Sequence, residues 1–152
     1  MRIGLISDTH DNLPLIKKAV RFFNESKVDF VLHAGDYIAP FSLEPLEDLG
    51  ADWKGVFGNN DGDKELLSKK SSGRIEQPPL FFNFNSRKIA LTHVFCELEA
   101  DVIVFGHTHQ PEIKKEGNCL LVNPGEVGSW LTDKSTVAIL DLESLSAEIF
   151  HL

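Results

Sequence analysis

The chain has 152 residues, 42% hydrophobic and 25% charged, an ordinary globular composition that excludes a fibrous or disordered protein. This length suits one domain over residues 1–152 and buries roughly two thirds of the unfolded surface. The net charge of −8 repels nucleic-acid backbones and anionic membranes, so neither is expected as a tight partner, although bound metal ions would invert the local field and admit an anionic substrate.

Residues 2–7 form a short apolar run with isoleucines and predict a buried strand. Residues 8–12 end it. Asp11 or Asn12 caps a helix with Pro14 in its first turn. Leu13, Ile16, Val20 and Phe23 recur at helical spacing and predict an amphipathic helix over 13–24. Residues 29–33 predict a second strand, ended by Ala34-Gly35-Asp36. Residues 37–50 predict a weaker helix, limited by Pro45. A third strand over 51–57 runs into Gly58-Asn59-Asn60-Asp61-Gly62, with a short helix near 64–69. From residue 74 the texture is mostly strand. Residues 80–84 and 88–92 predict a hairpin, 102–105 a buried strand, 111–115 and 119–122 another hairpin, and 136–141 and 147–151 a last pair. Strand–helix alternation followed by strands predicts a layered α/β fold with sheets inside and helices outside.

Polar clusters stand at the C-terminal ends of these strands: Asp8-Thr9-His10, Gly35-Asp36, Gly58-Asn59-Asn60-Asp61, His93, and Gly106-His107-Thr108-His109. Ligands bind at such ends in α/β sheets, because the loops converge there on a rigid support. Each cluster alone has a structural explanation. Asp8 and His10 could belong to a capping turn, Asp36 and Asn59 to turns, and His93 to a sheet edge. His107 and His109, flanking one small residue after a buried strand, are the hardest to explain by packing. Two divalent ions sharing a substrate need a bridging group, and a carboxylate can supply one oxygen to each. Four histidines, two aspartates and one asparagine suit manganese, iron, zinc or nickel better than calcium.

The order D-x-H, G-D, G-N-x-D, H and G-H-x-H from Asp8 to His109 resembles the calcineurin-like metallophosphoesterase family, and the length resembles its small bacterial and archaeal YfcE-like phosphodiesterase subfamily. The resemblance implies a two-sheet α/β sandwich in four layers, α/β/β/α, with a dinuclear metal site at one edge. It implies that Asp8, His10 and His109 hold one metal, that Asn59, His93 and His107 hold the second, and that Asp36 bridges them. The implied cofactor is a pair of divalent ions, manganese first, with nickel, zinc, iron or magnesium as alternatives. A hydroxide between the metals would attack a small-molecule phosphate ester, with Asn59 and the metals offsetting charge on the phosphoryl oxygens.

Two departures from the family pattern stand out. Many relatives carry histidine where this chain has Asn60, and asparagine does not serve as a general acid. This predicts a preference for activated esters with good leaving groups, or modest rates. Only residues 94–100 separate His93 from the next strand, too few for a full crossover helix. A vestigial helix, an unusual route or missing residues would each account for it.

Asp61 is expected to orient Asn59 or Asn60, or to cap a turn. His33 is expected beneath the site, Asn123-Pro124-Gly125-Glu126 as a turn near it, and Phe22, Phe23, Phe81, Phe82 and Phe84 in the core. Cys96 and Cys119 have no metal or disulfide spacing and are expected reduced and mostly buried. The short apolar N-terminal run and the lack of a ~20-residue apolar stretch predict a cytoplasmic protein without a membrane span. An exposed strand edge could support a homo-oligomer. The alternatives to an enzyme are a non-catalytic scaffold, as in the retromer subunit resembling this family, and a phosphate-binding module.

Overall fold

A computed structural model describes residues 1–152. Strand β1 (Arg2–Ile6) is apolar on both faces, as a strand buried between layers must be. It pairs in parallel with β2 (Phe30–His33), β2 pairs in parallel with β3 (Asp52–Val56), and β3 with the two-residue β4 (Ile75–Glu76). The chain later returns to the other edge of β1 with antiparallel β10 (Thr136–Asp141) and β11 (Ser146–His151), completing a six-stranded sheet. The second sheet joins β5 (Leu80–Phe84), β6 (Arg87–Leu91), β7 (Val102–Val104), β9 (Cys119–Asn123) and β8 (Glu112–Glu116), in that order. Its middle strands β6, β7 and β9 run parallel.

Helix α1 (Leu13–Ser26) is capped by the Asn12 side chain, which accepts from the Leu15 amide, and carries a proline in its first turn. It runs two residues beyond the predicted Asn24 and stops at Lys27, in the left-handed region. Asp11, the other predicted cap, instead accepts from Ala39 N–H and the Ser42 hydroxyl. The weak helix of the second segment is a 3-10 helix (Pro40–Asp48). Pro45 within it lacks the amide that an α-helical turn would use. Helix α2 (Lys64–Lys70) follows its Asp63 cap.

The expected two sheets flanked by helices are present. Ile16, Ala19, Val20 and Phe23 of α1, Leu43 and Leu46 of the 3-10 helix and Leu67 of α2 pack with Ile6, Val31 and Trp53 of the first sheet. Ile3, Leu5, Leu32 and Val56 of the first sheet meet Ile89, Leu91, Val102, Val104 and Val122 of the second. On the second sheet's far face, the outermost layer is the irregular connection between β6 and β7, not a helix of a fourth layer. Its Leu98 and Ala100 cover Ala90, Ile103 and Leu121, and its Phe95 ring lies 5.2 Å from that of Phe105. The short connection therefore takes an unusual route, with no helix. Two smaller expectations are corrected here. Cys96 lies exposed on that connection, and Phe81 is exposed beneath the Lys88 ammonium, because side chains alternate along β5 and Phe82 and Phe84 take the face that packs against the core. No helix is long and apolar enough to cross a membrane.

This arrangement brings the C-terminal ends of β1, β2 and β3 from one sheet, and of β6, β7 and β9 from the other, to one edge of the sandwich. Leu5 lies between the sheets and is fully buried. Leu5→Ala is expected to lower the unfolding free energy by about 2–5 kcal/mol, read from the midpoint of urea unfolding.

Candidate metal centre

Every predicted metal-site residue lies at that edge. Asp8 and His10 follow β1, Asp36 follows β2, Asn59 follows β3, His93 follows β6, and His107 and His109 follow β7. The loops are stitched to one another through the backbone. Asp8 N–H donates to Gly35 carbonyl, Thr9 and His10 N–H to Asp36 carbonyl, Gly106 N–H to His93 carbonyl, and Gly128 N–H to Asp8 carbonyl. Five of the seven residues have left-handed backbones: Asp8 (φ 50°), His10 (42°), Asp36 (59°), His107 (68°) and His109 (61°). Such a conformation costs on the order of 1–3 kcal/mol each and clusters at functional sites; aspartate and histidine tolerate it better than most residues.

Asp8 is fully buried. Its Oδ2 accepts from the Ser7 hydroxyl (2.6 Å) and from His107 N–H (3.1 Å). Its Oδ1 has no hydrogen-bond partner, lying 3.8 Å from His10 Nε2 and 3.5 Å from His109 Nε2. His10 Nε2 is also buried without a hydrogen-bond partner. Orphaned buried polar atoms are costly, and these two face one another across the space a cation would fill. Burial pushes the Asp8 carboxyl up, but His10, the Ser7 hydroxyl, His93 and His109 outweigh it and hold it below the usual range. Burial disfavours the His10 imidazolium, but Asp8, Asp36 and Glu126 outweigh this and raise it.

The second group has the same character. Asn59 Oδ1 lies 2.8 Å from both His93 Nε2 and His107 Nδ1. His93 Nδ1–H donates to the Ala34 carbonyl at 2.7 Å, so in the neutral ring Nε2 is an acceptor facing two more acceptors, Asn59 Oδ1 and, 3.5 Å away, Asp36 Oδ2, a set that a cation would join. Asp36 Oδ2 also lies 3.6 Å from His10 Nε2. Asp36 thus stands between the two groups. Ligand atoms of Asp8, His10 and His109 converge within 4.8 Å, as do those of Asp8, Asp36 and His93. Oxygen and nitrogen donors with no Lys or Arg among them, two of them, Asp8 Oδ1 and His10 Nε2, without any partner, fit divalent cations well.

Four further residues hold these groups in place. His109 Nδ1–H donates to Glu126 Oε2 at 2.9 Å, which turns Nε2 toward Asp8. A carboxylate behind a histidine in this way sets its tautomer at metal sites. Glu126 is fully buried. Burial pushes its carboxyl up, and the bonds from His109, Thr132 and Leu131 bring it below the ordinary range. Asp61, expected to orient an asparagine or cap a turn, caps the turn. Its carboxylate accepts from Gly58, Asp36, Tyr37 and Ile38 N–H, so it acts through the Asp36 loop and not by touching the Asn59 or Asn60 side chains. Asn60 donates from its backbone to Asp36 Oδ1 (2.9 Å) and from its side chain to Oδ2 (2.7 Å). His33 lies beneath the site as expected; Gly35 N–H donates to its Nδ1, and burial lowers its pKa to about 3.

Glycines 58 and 106 admit the carboxylates. A Cβ on Gly58 would run into Asp36, and one on Gly106 into Ser7 and Asp8. In the sequence Glu126 reads only as part of a turn. The available signal was its isolation: it is the sole charged residue between Glu116 and Asp133. Asn123, in the same turn, donates to the Gly106 carbonyl and the Thr108 hydroxyl and so braces the His107–His109 loop.

Comparison with known proteins points to one family and one fold. Residues 1–145 match the calcineurin-like phosphoesterase superfamily domain. The chain is 36% identical to a phosphodiesterase of Methanocaldococcus jannaschii over 94% of each protein. It is 27% identical to phosphodiesterase YfcE of Escherichia coli over 84% of this chain and 79% of that protein. The solved structure of an archaeal phosphodiesterase superposes with a TM-score of 0.90 at 33% identity, covering 100% of both chains.

Glu126→Ala would leave the His109 ring without its anchor. It is expected to weaken metal binding by about 10–100-fold, measured by calorimetric titration of the metal-free protein.

Proposed function

The chain belongs to the calcineurin-like phosphoesterase superfamily, and on that premise we propose that it is a cytoplasmic phosphodiesterase that hydrolyses small phosphate esters with two divalent ions, manganese first among them. Asp8, His10 and His109 hold one ion in this reading, and Asn59, His93 and His107 the other. Asp36 serves both. The observation that carries this is the position of Asp36 Oδ2, near-equidistant from His10 Nε2 at 3.6 Å and His93 Nε2 at 3.5 Å. Two bound divalent ions would supply a water activated for attack and positive charge for the phosphoryl oxygens.

The residues of the chain do the rest. Asp8 offers its free Oδ1 while Ser7 and the His107 amide keep Oδ2 in place. Glu126 and the Ala34 carbonyl fix the histidine tautomers, so His109 and His93 offer Nε2 lone pairs. Asn60 steadies Asp36 and, lacking an acidic proton, leaves the departing alcohol to carry its own charge. The exposed Asn59 and His107 keep the site open to an incoming ester. That all seven side chains survive and converge supports the enzyme over a scaffold on the same fold.

Chelator-stripped protein is expected not to hydrolyse bis(4-nitrophenyl) phosphate, manganese to restore turnover, and Asp36→Asn to lower it by at least about 100-fold, several kcal/mol of charge stabilisation being lost. No turnover with any of manganese, nickel, zinc, iron or magnesium, in protein shown to bind two ions, would favour a phosphate-binding module; failure to bind ions would favour a scaffold. Asn60→His is expected to raise turnover of a diphenyl ester by up to about 100-fold, with less gain on the 4-nitrophenyl ester, as read from steady-state rates.

A further inference from the structure

Beside the site lies an open cleft of about 630 Å³. His10, His109 and Asn60 line it together with Ile38, Trp130 and Leu131. Trp130 is 64% exposed and Leu131 74%. Large apolar side chains held in water at the rim of a polar site lose burial that the fold could otherwise use.

Trp130 is nevertheless held firmly. Its indole Nε1–H donates to the His10 carbonyl at 3.1 Å, and the Cδ1 edge of the ring lies over Gly128, where a Cβ would stand 2.8 Å from it. The backbone beneath is tied down as well. Trp130 and Leu131 N–H each donate to Glu126 at 3.0 Å, and Thr132 donates to it through both N–H and hydroxyl. The indole is therefore anchored at its Nε1 edge while most of the side chain stays open to solvent. An aromatic surface fixed before any ligand arrives meets a flat partner with little further loss of side-chain entropy.

We infer that Trp130 is a specificity-determining residue, a platform for a flat apolar group, an aryl ring or a nucleobase, carried by the phosphate ester. Resting on the phosphoesterase reading above, this names the substrate class that the open site selects. The cleft has no Lys or Arg; its one further lining residue is the acidic Asp11. Affinity for the organic part of the ester must then come from apolar and stacking contact, which Ile38, Leu131 and the indole provide. Glu126 links the two roles of the loop, since the same carboxylate orients His109 and seats Trp130.

The test is the binding of phenylphosphonate and methylphosphonate, which are not hydrolysed, to the manganese-loaded protein, followed by calorimetry and by quenching of tryptophan fluorescence. Phenylphosphonate is expected to bind about 2- to 10-fold more tightly, the worth of one aromatic contact. Trp130→Ala is expected to bring this ratio close to one, and Trp130→Phe to retain most of it. Any displacement of His10 in the variants weakens both ligands alike and leaves the ratio untouched. Equal binding by the wild type, or a preference undiminished in Trp130→Ala, would overturn the platform and leave the phosphoesterase reading standing. Failure of both phosphonates to bind the metal-loaded protein would overturn the phosphate site, and the platform with it.

Discussion

Two carboxylates, Asp8 and Asp36, are held at one edge of the sandwich with oxygens within 4.8 Å of one another, both almost wholly removed from water. At an effective dielectric near 20, like charges at that distance repel by roughly 3.5 kcal/mol or more. The rest of the edge answers this constraint. Imidazoles surround the pair, and His10 is pushed toward its charged form by both acids. One oxygen of Asp8 is left with no partner at all. A site whose own groups leave it short of positive charge is a site prepared for cations.

Holding such a pair in place requires rigidity, and it comes from two sheets at once. Three parallel strands of each sheet end at the same edge, and the backbone amides of the loops are donated from one loop to the next. Asp61 gathers four amides around the Asp36 turn, and Glu126 gathers three amides, a hydroxyl and a histidine. Both acids are spent on structure. This explains how five of the seven candidate ligands keep left-handed backbones: the strain is local, and the bonds that enforce it are spread over several loops.

Much of this was legible in the chain. Helix α1 announced itself through its period, its asparagine cap and its proline, because a helix buries one stripe and its signal is local. Short apolar runs marked β1, β2 and β3 for the same reason. The weak segment before residue 50 became a 3-10 helix because Pro45 forbids a regular α-helical ladder. β4 escaped notice, since two residues carry no period, and it exists only as a partner for β3. The connection after His93 was recognisably too short for a helix, yet its route depended on an apolar patch of the second sheet that no local pattern describes.

By itself the sequence determined which residue types end which strands, and so the chemistry of the site: aspartates, histidines and an asparagine where loops converge. Only the tertiary structure decided what each of them does. The amide that fixes Asp8 comes from His107, the carbonyl that seats the Trp130 indole belongs to His10, and the oxygen that turns His109 belongs to Glu126. Secondary structure is written in neighbours a few residues apart, whereas these bonds join loops up to 120 residues apart, brought together by the pairing of strands and the packing of two sheets. A carboxylate reads alike in sequence whether it binds a metal, caps a turn or holds a histidine; its burial and its donors separate the three, and those are properties of the folded edge.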